Sequence, residues 1–402
     1  MAGSISKYFY QAAANKTCAD FHHPGKTCTQ AAIQCLQNGV LGSAKFYFPL
    51  CLLPLLFKLH KWNEIKTWKE FLKNYTRCIF SGFFITTTGF ILFCAAYQIF
   101  KGYYFPLCIC LPSSLGAMFC GFLPKKYLHI DGLSLLNVYI EFVIKQSKFK
   151  AVAWLRNSKI GATFLYGIMN SIIVYCLHVL KSNRFWFVNV GKIANQNSEK
   201  DICVHGTIKC ADYLKKEVKQ TSLFAFGVAM FKLVFPRLMT LLKNPQLLFT
   251  KYWKKFDFGL FMFILASNGI FKAVRCKLNQ MKKYPRPINV FIAGLASSLG
   301  YIFYPRYIIF TMGISTLIEV IYKYLDNYYI SNNIQLPKIM TIINRLPMCE
   351  LVYMFGIGMT FQLRVVYPHL TNKFIHKMMS IGSSGRSDEV ARNYAGIMMG
   401  LQ

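Results

Sequence analysis

Long apolar runs alternate with short basic stretches along the whole chain. Three runs carry no full charge: 78–100, 103–123 and 160–180. Each reaches the length of about 20 residues that a helix needs to cross a bilayer core of about 30 Å. Runs 39–59, 221–242 and 258–274 are interrupted by prolines or cations, and 288–304 is short but uncharged. Runs 130–144, 307–325 and 348–363 include Glu141, Glu319 and Glu350. Backbone groups in lipid must be satisfied within their own segment, so such runs predict helices. A membrane barrel would need short alternating segments, which this pattern lacks. The expected fold class is all-α: a polytopic helical membrane protein with about 8–10 hydrophobic helices.

The pattern repeats. Shifting the chain along itself by about 181–187 residues aligns an ordered set of matches. His23 and Cys28 fall on His205 and Cys210, and Phe48-Pro49 on Phe235-Pro236. Ser113, Ser114, Leu115 and Gly116 fall on Ser297, Ser298, Leu299 and Gly300. Pro124 falls on Pro305, and Gly132 to Leu136 on Gly313 to Leu317. Two internally duplicated halves are therefore expected. Residues 1–38 read as an N-terminal polar lead-in with His and Cys, 39–182 as a first helical repeat and 183–220 as a polar basic linker. Residues 221–370 read as a second helical repeat and 371–402 as a polar C-terminal tail.

Proline removes a helix hydrogen bond, so kinks are expected at Pro49 and Pro236. Small side chains let helices approach closely, which marks Ser113, Ser114, Gly116, Gly294, Ser297, Ser298 and Gly300 as packing positions. Carboxylates inside spans are costly and commonly functional, so Glu141 and Glu319 are the candidates for a polar pathway. Lys145 and Lys323 each follow one turn later, and a simple ion pair at helical spacing is the competing reading.

Composition narrows the class. Charged residues are 15% of the chain, against about 25% in a soluble domain. The net charge of +32 is spread over loop-sized clusters, 58–77 and 272–287 among them. That pattern fits loops facing anionic lipid headgroups, and no nucleic-acid partner is expected. Half of the 14 cysteines lie inside apolar runs, where they act as small hydrophobes. The first 30 residues hold no unbroken apolar stretch, so a cleaved signal peptide is not expected.

No phosphate loop, dinucleotide fingerprint, zinc-protease helix or nucleophile elbow appears. His129 and Asp131, two residues apart on a helix, point in different directions. No catalytic residues, no enzyme activity and no cofactor are expected. The sets His22, His23, Cys28 and Cys203, His205, Cys210 are candidate metal ligands. Structural zinc takes four ligands with closely spaced cysteine pairs. Cys18/Cys28 and Cys203/Cys210 miss that spacing, so no metal is expected.

The chain opens with His22-His23-Pro24 and Cys28, then Leu36-x-x-Gly39 and Lys45-Phe46-Tyr47-Phe48-Pro49-Leu50. With the runs 115–124 and 292–304, which leads to Ser315, Leu317 and Glu319, it resembles the transmembrane protein 135 family over roughly residues 20–370. The resemblance implies a multi-pass protein of mitochondrial and peroxisomal membranes. It further implies a non-enzymatic role in the balance of mitochondrial fission and fusion, through a dynamin-related fission GTPase, and in peroxisome organisation. The family offers no catalytic residues to carry over. A channel or carrier for a small metabolite or lipid, built from two helical repeats, is the alternative.

Overall fold

The computed structural model describes residues 11–13, 16–56, 62–102, 109–182, 186–190, 209–234, 244–246, 250, 252–281, 285–368, 371 and 373–398. Among these, every regular element is helical. Six helices are long and apolar enough to cross a membrane: Ile65–Phe100, Lys125–Gln146, Lys159–Val179, Phe258–Met281, Tyr307–Ser331 and Met348–Val366. The all-α polytopic class holds. The chain is a multi-pass membrane protein in contact with lipid.

The outward faces of these helices are apolar. Ile91 and Ile99, Ile160 and Phe164, and Ile318 are all exposed. Apolar surface on this scale is rare on a monomer in water and ordinary against acyl chains.

Two compact units divide the chain, Met1–Lys145 with Ile342–Gln402, and Gln146–Thr341. In the first, α1 (Cys18–His22) leads to α2 (Cys28–Leu56) and α3 (Ile65–Phe100). α4 (Cys110–Gly116) runs into a 3-10 helix, Ala117–Phe122, and α5 is Lys125–Gln146. α2 packs along α3, and α3 along α4. The second unit holds α6 (Lys150–Asn157), α7 (Lys159–Val179), α8 (Cys210–Val234) and α9 (Phe258–Met281). There α10 (Arg286–Ser297) also passes into a 3-10 helix, Ser298–Phe303, and α11 is Tyr307–Ser331. α7 packs on α10, on its 3-10 extension and on α11, while α8 packs on α9. The amphipathic α12 (Lys338–Arg345) leads back to the first unit. There α13 (Met348–Val366), α14 (Lys373–Gly382) and α15 (Arg386–Met398) complete the fold. α13 packs on α4, α14 on α2, and α15 on α1 and α13.

The structure changes several expectations. Six long apolar helices lie among the described residues. Run 103–123 is not one spanning helix among the described residues, because Cys110–Phe122 is short and tightens to 3-10 geometry at Gly116. Run 288–304 is broken in the same way at Ser297. The basic stretch 58–77 is helical from residue 65, since α3 has 36 residues and extends about 54 Å. That length exceeds the apolar core of a bilayer, so its cationic first turns lie beyond it. The basic stretch 272–287 is likewise helical up to Met281. Residues 186–188 of the expected linker are buried, and α8 begins at Cys210. The expected polar tail folds as α14 and α15.

Candidate functional site

Two threonines set up the lead-in. Thr17 caps α1, and Asp20 answers, with the Thr17 amide and hydroxyl donating to Asp20 Oδ2 at 2.6 and 2.8 Å. Those bonds hold the Asp20 carboxyl below its ordinary value. Thr27 and Gln30 form the reciprocal pair at the start of α2. Each threonine is followed by a cysteine, so Cys18 and Cys28 both open a helix. Between them the chain reverses through Gly25 at φ +70, a left-handed conformation that glycine adopts freely.

The reversal brings His23 back between the two thiols. Its Nε2 lies 3.3 Å from Cys18 Sγ and 3.3 Å from Cys28 Sγ. Its Nδ1 lies 2.7 Å from the carbonyl oxygen of Lys26. Cys94, on α3, adds a third thiol with its Sγ 3.1 Å from Cys18 Sγ. The four ligand atoms of Cys18, His23, Cys28 and Cys94 all lie within 4.8 Å of one another. Cys18, His23 and Cys94 are buried, and Cys28 is half-buried. Burial, with Cys94 next in importance, pushes the Cys28 thiol up from its ordinary value.

The neighbours fix this cluster in place. His22 is fully buried, stacked on Phe93 at 4.8 Å and edge-on to Tyr394 at 5.7 Å. Burial, then the nearby His23 and Arg386, pushes its imidazole down to about 3, so it is neutral at physiological pH. Arg386 on α15 donates to the His22 carbonyl at 2.6 Å and lies over the Phe90 ring. Asn393 donates to the Phe21 carbonyl at 3.1 Å. α15 thus clamps α1 from one side, while α3 holds it from the other.

Local spacing takes in only the cysteines near His23. Cys94 stands 76 residues beyond Cys18 in the chain and is brought beside it by the packing of α1 on α3. Its only trace in the sequence is a cysteine within an apolar run.

The acids singled out as a polar pathway both sit in ion pairs. Glu141 is buried and pairs with Lys145 at 2.6 Å, and Glu319 pairs with Lys323 at 3.5 Å. Each pair is within one turn of its own helix. Asp131, which carried little weight in the sequence, has a buried Oδ2 without a hydrogen-bond partner.

The small residues lie at close crossings. A Cβ on Gly116 would stand 2.6 Å from the Gly89 backbone of α3, and one on Gly358 would land on Ser114 Oγ. A Cβ on Gly294 would stand 2.5 Å from Val174 Cγ2 of α7. One on Gly300 would meet Ser267 and stand 3.1 Å from the Phe263 carbonyl of α9. Ser113, Ser297 and Ser298 are buried, and Ser298 lies against Gly167. Pro49 lies inside α2, which continues through it to Leu56. Pro236 lies outside the described residues.

A second polar centre stands in the other unit. Asn170 is fully buried, donates to the Gly294 carbonyl at 2.7 Å and Ser297 Oγ at 2.9 Å, and accepts from Trp186 Nε1 at 2.7 Å. Asn268 donates to the Phe187 carbonyl and accepts from the Asn189 amide, and Arg275 donates to the Val190 carbonyl at 2.6 Å. The non-helical segment 186–190 is thereby satisfied within the protein, as irregular backbone against membrane helices must be.

No family model, no curated protein and no solved structure matches the chain.

Proposed function

We propose that this is a non-enzymatic protein of mitochondrial and peroxisomal membranes that sets the balance of mitochondrial fission and fusion and the organisation of peroxisomes. The supporting observation is a multi-pass helical frame carrying, in order, the motifs on which the resemblance to the transmembrane protein 135 family rests. The role in fission implies a dynamin-related GTPase as partner, reached by segments outside the bilayer. Depleting the protein is expected to lengthen mitochondria and to change peroxisome number, with a fluorescent fusion marking both organelles. Unaltered organelles, or a fusion confined to the plasma membrane, would count against the proposal.

A carrier is the second reading, favoured by one observation. Each unit contains an apolar helix that gives way to 3-10 geometry within the same Ser-Ser-Leu-Gly motif, Cys110–Phe122 and Arg286–Phe303. Interrupted apolar segments at matching places in two halves are where transporters of duplicated build hold their cargo. Flux through the reconstituted protein, lost on altering these segments, tests it.

A further inference from the structure

We propose that Cys18, His23, Cys28 and Cys94 bind one zinc ion, which fastens the N-terminal lead-in to α3. The donor set is three sulfurs and one imidazole nitrogen, a standard combination for a structural zinc site. With four protein ligands the coordination sphere is closed, so the role is structural and not catalytic.

Distances fit with small adjustments. Tetrahedral bonds of about 2.3 Å to sulfur and about 2.0 Å to nitrogen place sulfurs about 3.8 Å apart and nitrogen about 3.5 Å from each sulfur. The His23 contacts of 3.3 Å already lie near that value, and the Cys18–Cys94 pair at 3.1 Å has to open slightly. The imidazole is oriented for the task. Nδ1 carries the proton and donates to the Lys26 carbonyl, leaving the Nε2 lone pair toward the thiols. A backbone carbonyl behind a metal-bound histidine is the usual outer partner in such sites.

Charge also balances. Zinc binding releases three thiol protons to solvent, with no change of oxidation state, and leaves the four-ligand centre with one net negative charge. Arg386, which donates to the carbonyl of His22, the neighbour of His23, supplies a nearby positive charge. Cys28 stands at the N-terminus of the 29-residue α2, where the helix dipole also favours a thiolate. The sequence repeats three of the four ligand types at one common shift: His205, Cys210 and Cys276 follow His23, Cys28 and Cys94. Cys18 has no counterpart at that shift.

The test uses full-length protein purified in detergent under reducing conditions. Metal analysis is expected to find stoichiometric zinc. Cobalt exchanged for it should give the strong thiolate charge-transfer absorption and tetrahedral bands of a sulfur-rich site. Cys94→Ala and His23→Ala should lose most of the metal, while Cys51→Ala, a buried thiol outside the cluster, should keep it. In the unaltered protein, a zinc chelator should raise maleimide labelling of Cys18, Cys28 and Cys94 together, which needs no variant to fold. Absence of stoichiometric zinc, labelling unmoved by chelator, or a Cys18–Cys94 disulfide found by mass spectrometry would each overturn the proposal. Zinc retained in Cys94→Ala would do the same.

Discussion

Gly116 and Gly294 show how single hydrogen atoms set helix spacing. At each, a methyl group would press on the neighbouring helix, against the Gly89 backbone or against Val174 and Ser171. Gly116→Ala and Gly294→Ala are each expected to cost about 1–3 kcal/mol, read as a lower melting temperature in detergent. Gly227→Ala, where nothing lies within 4 Å of the added carbon, should be neutral or stabilising. Asn170 makes a second residue-scale case, because three hydrogen bonds converge on its buried amide. Asn170→Leu takes the acceptor from the Trp186 indole and one donor each from the Gly294 carbonyl and the Ser297 hydroxyl, which still bond one another. The expected cost is about 1–3 kcal/mol, with faster amide exchange around residues 186–190. An unchanged exchange rate there would show that the Trp186–Asn170 bond does not help to hold that segment. Residue type marks Gly116 and Gly294 as packing positions, but the atoms that they and Asn170 meet come from distant parts of the chain.

Among elements, α3 combines two environments in one helix. Lys66, Lys69, Lys73 and Arg77 recur at spacings of three and four and so share one face of its exposed first turns. Trp62 precedes them and Trp68 lies among them, as aromatic residues do at membrane interfaces. Each cation near an anionic surface contributes about 1 kcal/mol at moderate salt. The triple change of Lys66, Lys69 and Lys73 to Gln should therefore reduce stability in anionic vesicles and leave it unaltered in zwitterionic ones. An equal effect in both would sink the lipid reading of this stripe. A second element-scale junction joins α8 to α9 and the 3-10 helix after α10. Lys232 reaches Asp257 Oδ2 and the Tyr304 hydroxyl at 2.5 Å each, and Asp257 also caps α9 through the Leu260 amide. Burial acts against the charge of Asp257, but the bonds from Lys232 and Leu260 outweigh it and hold its carboxyl below the ordinary 3.8. A lowered carboxyl contributes stability above its unfolded value and loses it as pH falls through the folded one. α8 should thus keep its amide protection down to about pH 5 and lose it below about pH 4. Asp257→Asn should remove that part of the pH dependence.

At the scale of the whole molecule, the membrane accounts for both the composition and the exposed faces. After an alkaline wash the protein is expected to stay with the membrane fraction and to need detergent for release. A soluble, detergent-free monomer would refute the polytopic reading. The sequence segments and the compact units divide the chain differently. Run 160–180, within the segment 39–182, belongs as α7 to the unit Gln146–Thr341. Run 348–363, within the segment 221–370, belongs as α13 to the unit that holds α2 to α5.

By itself the sequence determined the solvent, the helical class and most positions of the long helices. Uncharged runs of membrane length leave the backbone no other way to satisfy its hydrogen bonds. It also marked the small residues that end up at close crossings. Tertiary structure alone decided which helix each small-residue face meets, because such a face is complementary to many partners. It decided that the two Ser-Ser-Leu-Gly runs pass into 3-10 turns, after Gly116 and after Ser297. And it brought Cys94 to His23, a meeting that depends on α15 and α3 gripping α1 and that no local spacing records.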